Sequence, residues 1–266
     1  MSYEYLLVEQ DEQGILTITL NRPQVRNALN TAAVLELLKV FREEAQSPMV
    51  RCVILTGSGA GFCAGQDLEE RKAFAYPPAG GGSKPAVGES LRQRYNPLII
   101  LIRELPKPVI AAVNGVAAGI GCSLALACDM RVAAESAIFV ESFAKVGLSL
   151  DGGSSYFLPR LIGTAKAFEL ALTGDQLKAA EAERLGLVNR VVPNDKLLEE
   201  TYALARKLCA NAPQALGRVK QVLNYGHNAT LSEALEFEAE IQQDAVNGPE
   251  YTEGLRAFFE KRPPKF

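Results

Sequence analysis

From Gly14 to Leu20 apolar and polar residues alternate, with Leu16, Ile18 and Leu20 on one face and Thr17 and Thr19 on the other, which predicts a half-buried strand. The period then changes to that of a helix. Val34, Leu37, Leu38, Phe41 and Ala45 recur at helical spacing behind Asn30, a residue able to cap the first turn, and Ser47-Pro48 closes the segment. Val50 to Thr56 is a partly β-branched apolar run that breaks at the glycine-rich Gly57-Ser58-Gly59-Ala60-Gly61. Strand signals return at Val109 to Val113 and at Met130 to Ala133, separated by Gly115-Val116-Ala117-Ala118-Gly119-Ile120-Gly121 and a short apolar helix from Cys122 to Cys128. The run Val53-Ile54-Leu55-Thr56-Gly57 is echoed by Val109-Ile110-Ala111-Ala112-Val113-Asn114-Gly115, strand into glycine turn, so the two turns are expected to do similar work.

Between these units, Lys72 to Glu89 carries Pro77, Pro78, Gly80, Gly81, Gly82 and Pro85, a composition expected of a mobile surface loop and not of a domain linker. After Val192 the pattern is helical throughout, over Lys196 to Ala210, Pro213 to Tyr225, Leu231 to Val246 and Glu250 to Lys261, with Thr230 and Glu233 spaced as a capping box. The fold class expected is therefore α/β, with an alternating core over residues 1–195 and a helical region over 196–266.

Composition adds exclusions. Hydrophobic residues make up 48% and charged residues 22%, ordinary for a globular chain, and no apolar run approaches the roughly 18 residues of a membrane span. The start, Met1-Ser2-Tyr3-Glu4-Tyr5, lacks the basic and apolar features of a signal peptide, so the expectation is a soluble, cytoplasmic protein without a membrane partner. Five cysteines lie singly among small or apolar neighbours and there is one histidine, which predicts free thiols and no metal site. A formal charge of −3 offers no basic footprint for nucleic acid. An anionic ligand would have to be held locally.

Two glycine turns carry the most specific signal. Phe62-Cys63-Ala64-Gly65-Gln66-Asp67-Leu68, followed by Lys107-Pro108-Val109-Ile110-Ala111-Ala112-Val113-Asn114-Gly115 and Ala118-Gly119-Ile120-Gly121-Cys122, resembles in order and spacing the paired signature of the crotonase (enoyl-CoA hydratase/isomerase) superfamily. The similarity runs over nearly the whole chain, to the tail Phe259-Glu260-Lys261-Arg262-Pro263-Pro264-Lys265-Phe266. Taken singly, each glycine stretch is more often only a tight turn feeding a helix; their joint spacing is what argues otherwise. A dinucleotide site fails on register, because Phe62 and Leu124 stand where the third glycine of each fingerprint would be.

The resemblance implies a crotonase-like spiral of repeated ββα units, followed by C-terminal helices that trimerise, with trimers commonly paired into hexamers. It implies an acyl-CoA thioester as substrate and no separate cofactor. It also places the thioester oxygen between two backbone N–H groups, those of Gln66 and Ile120. Proton removal beside a thioester puts negative charge on that oxygen, and losing one such donor typically costs about 3 to 4 kcal/mol. Ile120 would open a helix, so its N–H is uncommitted and the helix dipole favours the same anion. By motif position, substrate or CoA contacts fall to Ala64, Gly65, Asp67, Leu68, Gly119 and Phe143, with Tyr95 lining the acyl pocket or serving as a core or subunit-contact aromatic. Arg26, Lys261 and Arg262 are candidates for the CoA phosphates, against the commoner fate of lone basic residues as solvated surface.

The hydratases of the family use two glutamates, and their positions here hold Ser123 and Phe143, neither of which moves a proton from carbon. Hydration is therefore not the expected main activity. Asp151, in Gly147-Leu148-Ser149-Leu150-Asp151-Gly152-Gly153-Ser154-Ser155-Tyr156, stands where the isomerases and a dehalogenase branch carry an acid. Its apolar, glycine-rich surroundings are expected to raise its pKa, and one carboxyl group can shuttle a proton between two carbons. The competing reading of Asp151 is a helix N-cap. Asp151, Phe143 and Tyr95-Asn96-Pro97-Leu98 together resemble most the branch that isomerises 1,2-epoxyphenylacetyl-CoA to an oxepin-CoA and shifts enoyl double bonds. The dehalogenase branch needs a histidine, and His227 sits in a C-terminal turn, expected to be solvated. Glu141 is expected at the surface and Cys63 in packing. A CoA-binding scaffold without chemistry remains the other functional class, whereas Gly153-Ser154-Ser155-Tyr156 is no nucleophile elbow.

Overall fold

The computed structural model describes residues 3–76 and 86–266. Its strands, in chain order, are β1 (Leu6–Gln10), β2 (Ile15–Leu20), β3 (Cys52–Gly57), β4 (Gly61–Cys63), β5 (Val109–Val113), β6 (Val116–Ala118), β7 (Met130–Ala134), β8 (Ile138–Val140), β9 (Gln176–Lys178) and β10 (Arg190–Val192). The helices are α1 (Thr31–Arg42), α2 (Lys72–Ala75), α3 (Val87–Ser90), α4 (Asn96–Glu104), α5 (Ile120–Ala127), α6 (Ser154–Ile162), α7 (Thr164–Thr173), α8 (Ala179–Arg184), α9 (Leu197–Cys209), α10 (Pro213–Gly226), α11 (Leu231–Val246) and α12 (Pro249–Glu260). The α/β class is as expected. The loop expected from Lys72 to Glu89 is a loop only in part: its two ends are the single helical turns α2 and α3, and its centre, from Pro77 to Pro85, lies outside the described residues.

A six-stranded sheet has the order β1-β2-β3-β5-β7-β10, parallel throughout except for the antiparallel β1–β2 pair. A second sheet has the order β4-β6-β8-β9, with β4, β6 and β8 parallel. The chain thus leaves the large sheet on β3, β5 and β7 and enters the small one on β4, β6 and β8, one step along each sheet per turn. This is the expected spiral, and it explains the echo between the two glycine segments. Each glycine turn carries the chain from one sheet to the other.

Period-two alternation sorts the side chains of the large sheet. Leu16, Ile18, Val53, Leu55, Val109 and Ala111 join one core with Val34 and Leu37 of α1, Leu98 and Ile102 of α4 and Leu124 of α5. Ile15, Cys52, Ile54, Ile110, Ala112 and Val132 point to the other face, where Leu197, Ala205 and Cys209 of α9 cover them. The half-buried strand predicted at β2 is therefore buried on both faces. Thr17 reads as a solvent position, yet it lies under α9 with its hydroxyl 2.6 Å from that of Tyr202, a pairing that removes the cost of burying either group alone.

Local signals at the helix ends are obeyed. Asn30 accepts the Ala33 N–H at 2.8 Å as the cap of α1, and Thr230 and Glu233 form the capping box of α11. Sequence periodicity did not reveal β6 and β8, three residues each and too short to show alternation. Nor did it reveal α4 or the π-helical turn Leu91–Tyr95 that feeds it. What matters for function is the small sheet. Because β4, β6 and β8 are parallel neighbours about 4.8 Å apart, the residues after them, Ala64-Gly65-Gln66, Gly119-Ile120 and Glu141-Ser142-Phe143, emerge side by side at one carboxyl edge.

Candidate active site

The first glycine turn is pinned to the segment before α1. Ala64 N–H donates to the Arg26 carbonyl at 2.9 Å, Leu29 N–H to the Gly65 carbonyl at 2.7 Å, and Asp67 N–H to the Leu29 carbonyl at 2.9 Å. This parallel bridge uses the residues on either side of Gln66 and skips Gln66 itself. Since C=O and N–H of a trans peptide point in opposite directions, fixing the Gly65 carbonyl on Leu29 aims the Gln66 N–H the other way. That N–H has no hydrogen-bond partner among the described residues. Gly65 takes φ +102°, a value that favours glycine, and a Cβ there would sit 2.9 Å from the Ala118 carbonyl oxygen.

The second turn repeats the device. Gly119 has φ +51° and ψ −125° and is held by its own N–H, which donates to the Val140 carbonyl at 2.9 Å. Its carbonyl accepts the Ser123 N–H at 3.0 Å, so the Ile120 N–H points back out of the α5 N-terminus, again with no partner among the described residues. Each free donor is thus preceded by a glycine of positive φ, and the two turns lie on neighbouring parallel strands with a bulge between Gly61 and Cys63.

Asp151 comes to the same place on the loop before α6. Ser123 Oγ donates to its main-chain carbonyl at 3.0 Å, and the next residue, Gly152, packs against the Ile120 side chain and Ser123 Cβ. Asp151 is not a helix cap. The N-cap of α6 is Gly153, and Asp151 Oδ1 is buried without a hydrogen-bond partner among the described residues. Burial pushes its pKa up to about 6, opposed by the positive charge of Arg71. Arg71 in turn donates to Gln66 Oε1 at 3.0 Å, and Tyr95, buried, feels the Asp151 charge. Burial first, then Glu70, pushes the Tyr95 hydroxyl well above its ordinary value. Gln66, Arg71, Ser90 and Arg94 line a cavity of about 510 Å³. A larger one, about 880 Å³, lies between the α4–β5 connection and α10 and contains none of the predicted site residues.

The remaining candidates divide. Phe143, buried, lays its ring beside Gly119. Asp67 has its carboxylate committed: it pairs with Arg22 at 2.8 Å and caps the 3-10 turn that begins at Leu68 by accepting the Glu69 N–H at 3.1 Å. Leu68 itself is exposed. Arg26 is exposed and meets the first turn through its backbone. Lys261 is exposed at the end of α12, and Arg262 beside it is tied to Glu253 at 2.6 Å and to Glu260. His227 is exposed, as expected. Cys63 is fully buried, and burial pushes its thiol up to about 12.

Glu141 is the largest departure from the sequence reading. It is 2% exposed and not at the surface: Phe139, two residues earlier on β8, is buried between the less buried Ile138 and Val140, and continuing that alternation by one residue past the strand turns residue 141 to the same inward face. Its Oε1 lies 3.0 Å from Ser154 Oγ, which is 2.8 Å from Ser123 Oγ, and its pKa rises to about 7 through burial. Sequence offered no sign of this network, since its members come from the ends of three different elements. Among the described residues no group of three or more His, Cys, Asp or Glu side chains could hold a metal ion, and no helix is long and apolar enough to cross a membrane.

Comparison with known proteins agrees with this geometry. The family model for enoyl-CoA hydratase/isomerase matches residues 10–266. The chain is 42% identical over 255 residues to the 1,2-epoxyphenylacetyl-CoA isomerase of Escherichia coli K12, covering 96% of this chain and 95% of that one. It is 39% identical to a Rhodobacter capsulatus protein named a probable enoyl-CoA hydratase, over 100% and 99% of the two chains. The crystal structure of an enoyl-CoA hydratase from Bacillus anthracis superposes with a TM-score of 0.92 at 35% identity over 99% of each chain. Two parallel-strand glycine turns that each release one main-chain donor, on a two-sheet spiral matched end to end by such relatives, mean that this chain belongs to the enoyl-CoA hydratase/isomerase family.

Proposed function

We propose that the chain is an acyl-CoA isomerase in which Asp151 moves a proton between two carbons of the acyl group while the Gln66 and Ile120 N–H groups hold the thioester oxygen. The observation that carries this reading is the buried, unpartnered Oδ1 of Asp151 on a loop whose Gly152 packs against the Ile120 side chain, together with two main-chain donors, at Gln66 and Ile120, that nothing else among the described residues uses. In the ionised form the carboxylate takes a proton from one carbon. The electron pair of that C–H bond delocalises onto the thioester oxygen as an enolate, which the two amides stabilise, and the Asp151 carboxyl, its proton having exchanged with solvent, then protonates a different carbon as the double bond shifts. A pKa of about 6 leaves Asp151 ionised at neutral pH yet more basic than an exposed aspartate. The reaction is redox-neutral and consumes no co-substrate, so no cofactor is called for beyond the CoA carried by the substrate. Phe143 and Tyr95 supply an apolar wall suited to an aliphatic or aromatic acyl chain. The relative named 1,2-epoxyphenylacetyl-CoA isomerase favours the aromatic choice.

The hydratase reading is favoured by the names of other relatives. Against it, water addition uses two carboxylates at the family positions, and Ser123 and Phe143 occupy them. The protein assembles as a trimer or hexamer through its C-terminal helices and works in the cytoplasm. Exposed Leu231, Leu235, Leu255, Phe258 and Phe259 on α11 and α12 support the assembly.

Incubation with a panel of aliphatic and aromatic enoyl-CoA esters in deuterated water tests the reading. Isomerisation with deuterium appearing beside the thioester is expected, abolished in Asp151→Asn. Accumulation of hydrated product as the main outcome would establish the hydratase instead, and tight acyl-CoA binding without exchange would mean a scaffold without chemistry.

A further inference from the structure

The hydrogen-bond chain from Glu141 has a direction that depends on one proton. Ser123 Oγ stands 3.0 Å from the Asp151 carbonyl, 3.2 Å from the Gly119 carbonyl and 2.8 Å from Ser154 Oγ, and Ser154 Oγ stands 3.0 Å from Glu141 Oε1. Each serine has a single hydroxyl proton. If Glu141 is ionised, Ser154 must donate to it and Ser123 must donate to Ser154, which leaves neither carbonyl with a proton from Ser123. If Glu141 is neutral, its O–H donates to Ser154, Ser154 donates to Ser123, and Ser123 is free to donate to the main chain. Only the neutral form gives a proton to both side-chain links and leaves the Ser123 proton for the two carbonyls.

Those carbonyls belong to the two residues whose placement sets the candidate site. Gly119 O fixes the peptide whose N–H is that of Ile120, and Asp151 O anchors the loop that carries the acid. We propose that Glu141, in its neutral form, is a positioning residue that acts through Ser154 and Ser123 to hold the Asp151 loop and the Ile120 amide in register. The inference rests on Asp151 and Ile120 having the roles given above.

The surroundings of Glu141 favour the neutral form. The titratable and charged groups that face it are the Cys122 thiol from α5, the Asp151 carboxyl before α6 and Asp175 before β9, none of them a cation. Lys145 lies 4.0 Å from Asp175, and Arg131 spends its guanidinium on the carbonyls of Leu187 and Cys128. The rest of the wall is Phe139, Leu158, Leu170, Leu177 and Leu187. Glu141 Oε2 has no hydrogen-bond partner among the described residues, and the void beside it measures about 10 Å³, room for one water at most. An unpaired charge in such a setting is costly, which is why the proton stays.

Glu141→Gln removes the charge at every pH while offering Ser154 an N–H donor, so the direction of the chain no longer changes with pH. The rate of isomerisation in the full-length protein is followed from pH 6 to pH 9 together with KM. The wild type is expected to lose kcat above about pH 7 as the chain reverses, with KM nearly constant, while Glu141→Gln keeps its rate. The two should agree within about twofold at pH 6 and differ about tenfold or more at pH 9. Ser154→Ala, which leaves Ser123 no acceptor but the two main-chain carbonyls, is expected to keep a rate at pH 6 close to that of the wild type and to lose the alkaline fall. A wild type without an alkaline fall, or a Glu141→Gln profile that falls as the wild type does, overturns the inference. Asp151→Asn is measured alongside. If it abolishes turnover while Glu141→Gln changes nothing, the positioning role alone is wrong; if Asp151→Asn is fully active, the acid/base reading fails first.

Discussion

Gly119→Ala separates the stability of the second turn from its chemistry. The added Cβ would lie 3.6 Å from Ser142 Oγ and 3.7 Å from the Phe143 ring, ordinary contact distances, so the variant has room to fold. Its difficulty is the backbone. At φ +51° and ψ −125° an alanine is strained by about 1 to 3 kcal/mol, and rotating out of that region turns the Gly119–Ile120 peptide and with it the Ile120 N–H. Two results are therefore possible in principle: the strain is kept and the melting temperature falls by several degrees, or the peptide turns and the donor is lost. The second releases the strain, at the expense of the Gly119 hydrogen bonds to Val140 and Ser123. Losing one donor to a developing oxyanion corresponds to about 3 to 4 kcal/mol, or a factor of about 100 to 1,000 in kcat. The expected outcome is a folded protein with acyl-CoA affinity within about threefold of wild type and kcat lower by about two orders of magnitude. Stopped-flow or coupled assays of double-bond migration give kcat, and isothermal titration with a non-reactive acyl-CoA gives affinity. A variant with wild-type kcat and a lowered melting temperature would refute the expectation that the peptide turns, whereas wild-type kcat with an unchanged melting temperature, the strain released and the donor turned away, would show that the Ile120 N–H is not needed.

Asp151→Asn is expected to lower kcat by a factor of about 100 to 10,000 with little change in acyl-CoA affinity, read from steady-state kinetics beside a binding titration. Because the acid must be ionised to accept a proton, wild-type kcat should fall as the pH drops below about 6, measured in the same assay. Stability should also respond to Glu141. Its folded pKa is raised from 4.5 to about 7, so the folded state holds the proton more tightly, and stability is full below about pH 4.5 and declines as the pH rises through about 7. The decline amounts to about 3 kcal/mol at pH 8, and Glu141→Gln should remove it, so the melting-temperature difference between variant and wild type should grow from pH 5 to pH 8. Asp67→Ala leaves the half-buried Arg22 guanidinium without its 2.8 Å partner and the Leu68 turn without its cap, so a loss of about 2 to 4 kcal/mol in denaturant unfolding is expected.

The sequence by itself determined the alternating α/β core, the caps at Asn30 and Thr230, the four C-terminal helices and the two glycine turns. These are local matters: a period of 2 or 3.6, a side chain that reaches an N–H three residues on, a glycine where φ is positive. It also singled out Gln66, Ile120 and Asp151, through motif spacing. Only the tertiary structure decided what surrounds them. That Thr17 is covered depends on α9, which is distant in sequence, and that Asp151 is no helix cap depends on where α6 begins. That the face of β8 shared by Phe139 and Glu141 is the buried one depends on Leu158 and Leu170 arriving from α6 and α7, and the link of Glu141 to Asp151 depends on α5 and α6 bringing Ser123 and Ser154 within 2.8 Å of each other. Alternation reports which face a strand residue takes while the strand lasts; burial, desolvation and hydrogen-bond direction are set by neighbours that arrive from elsewhere in the chain.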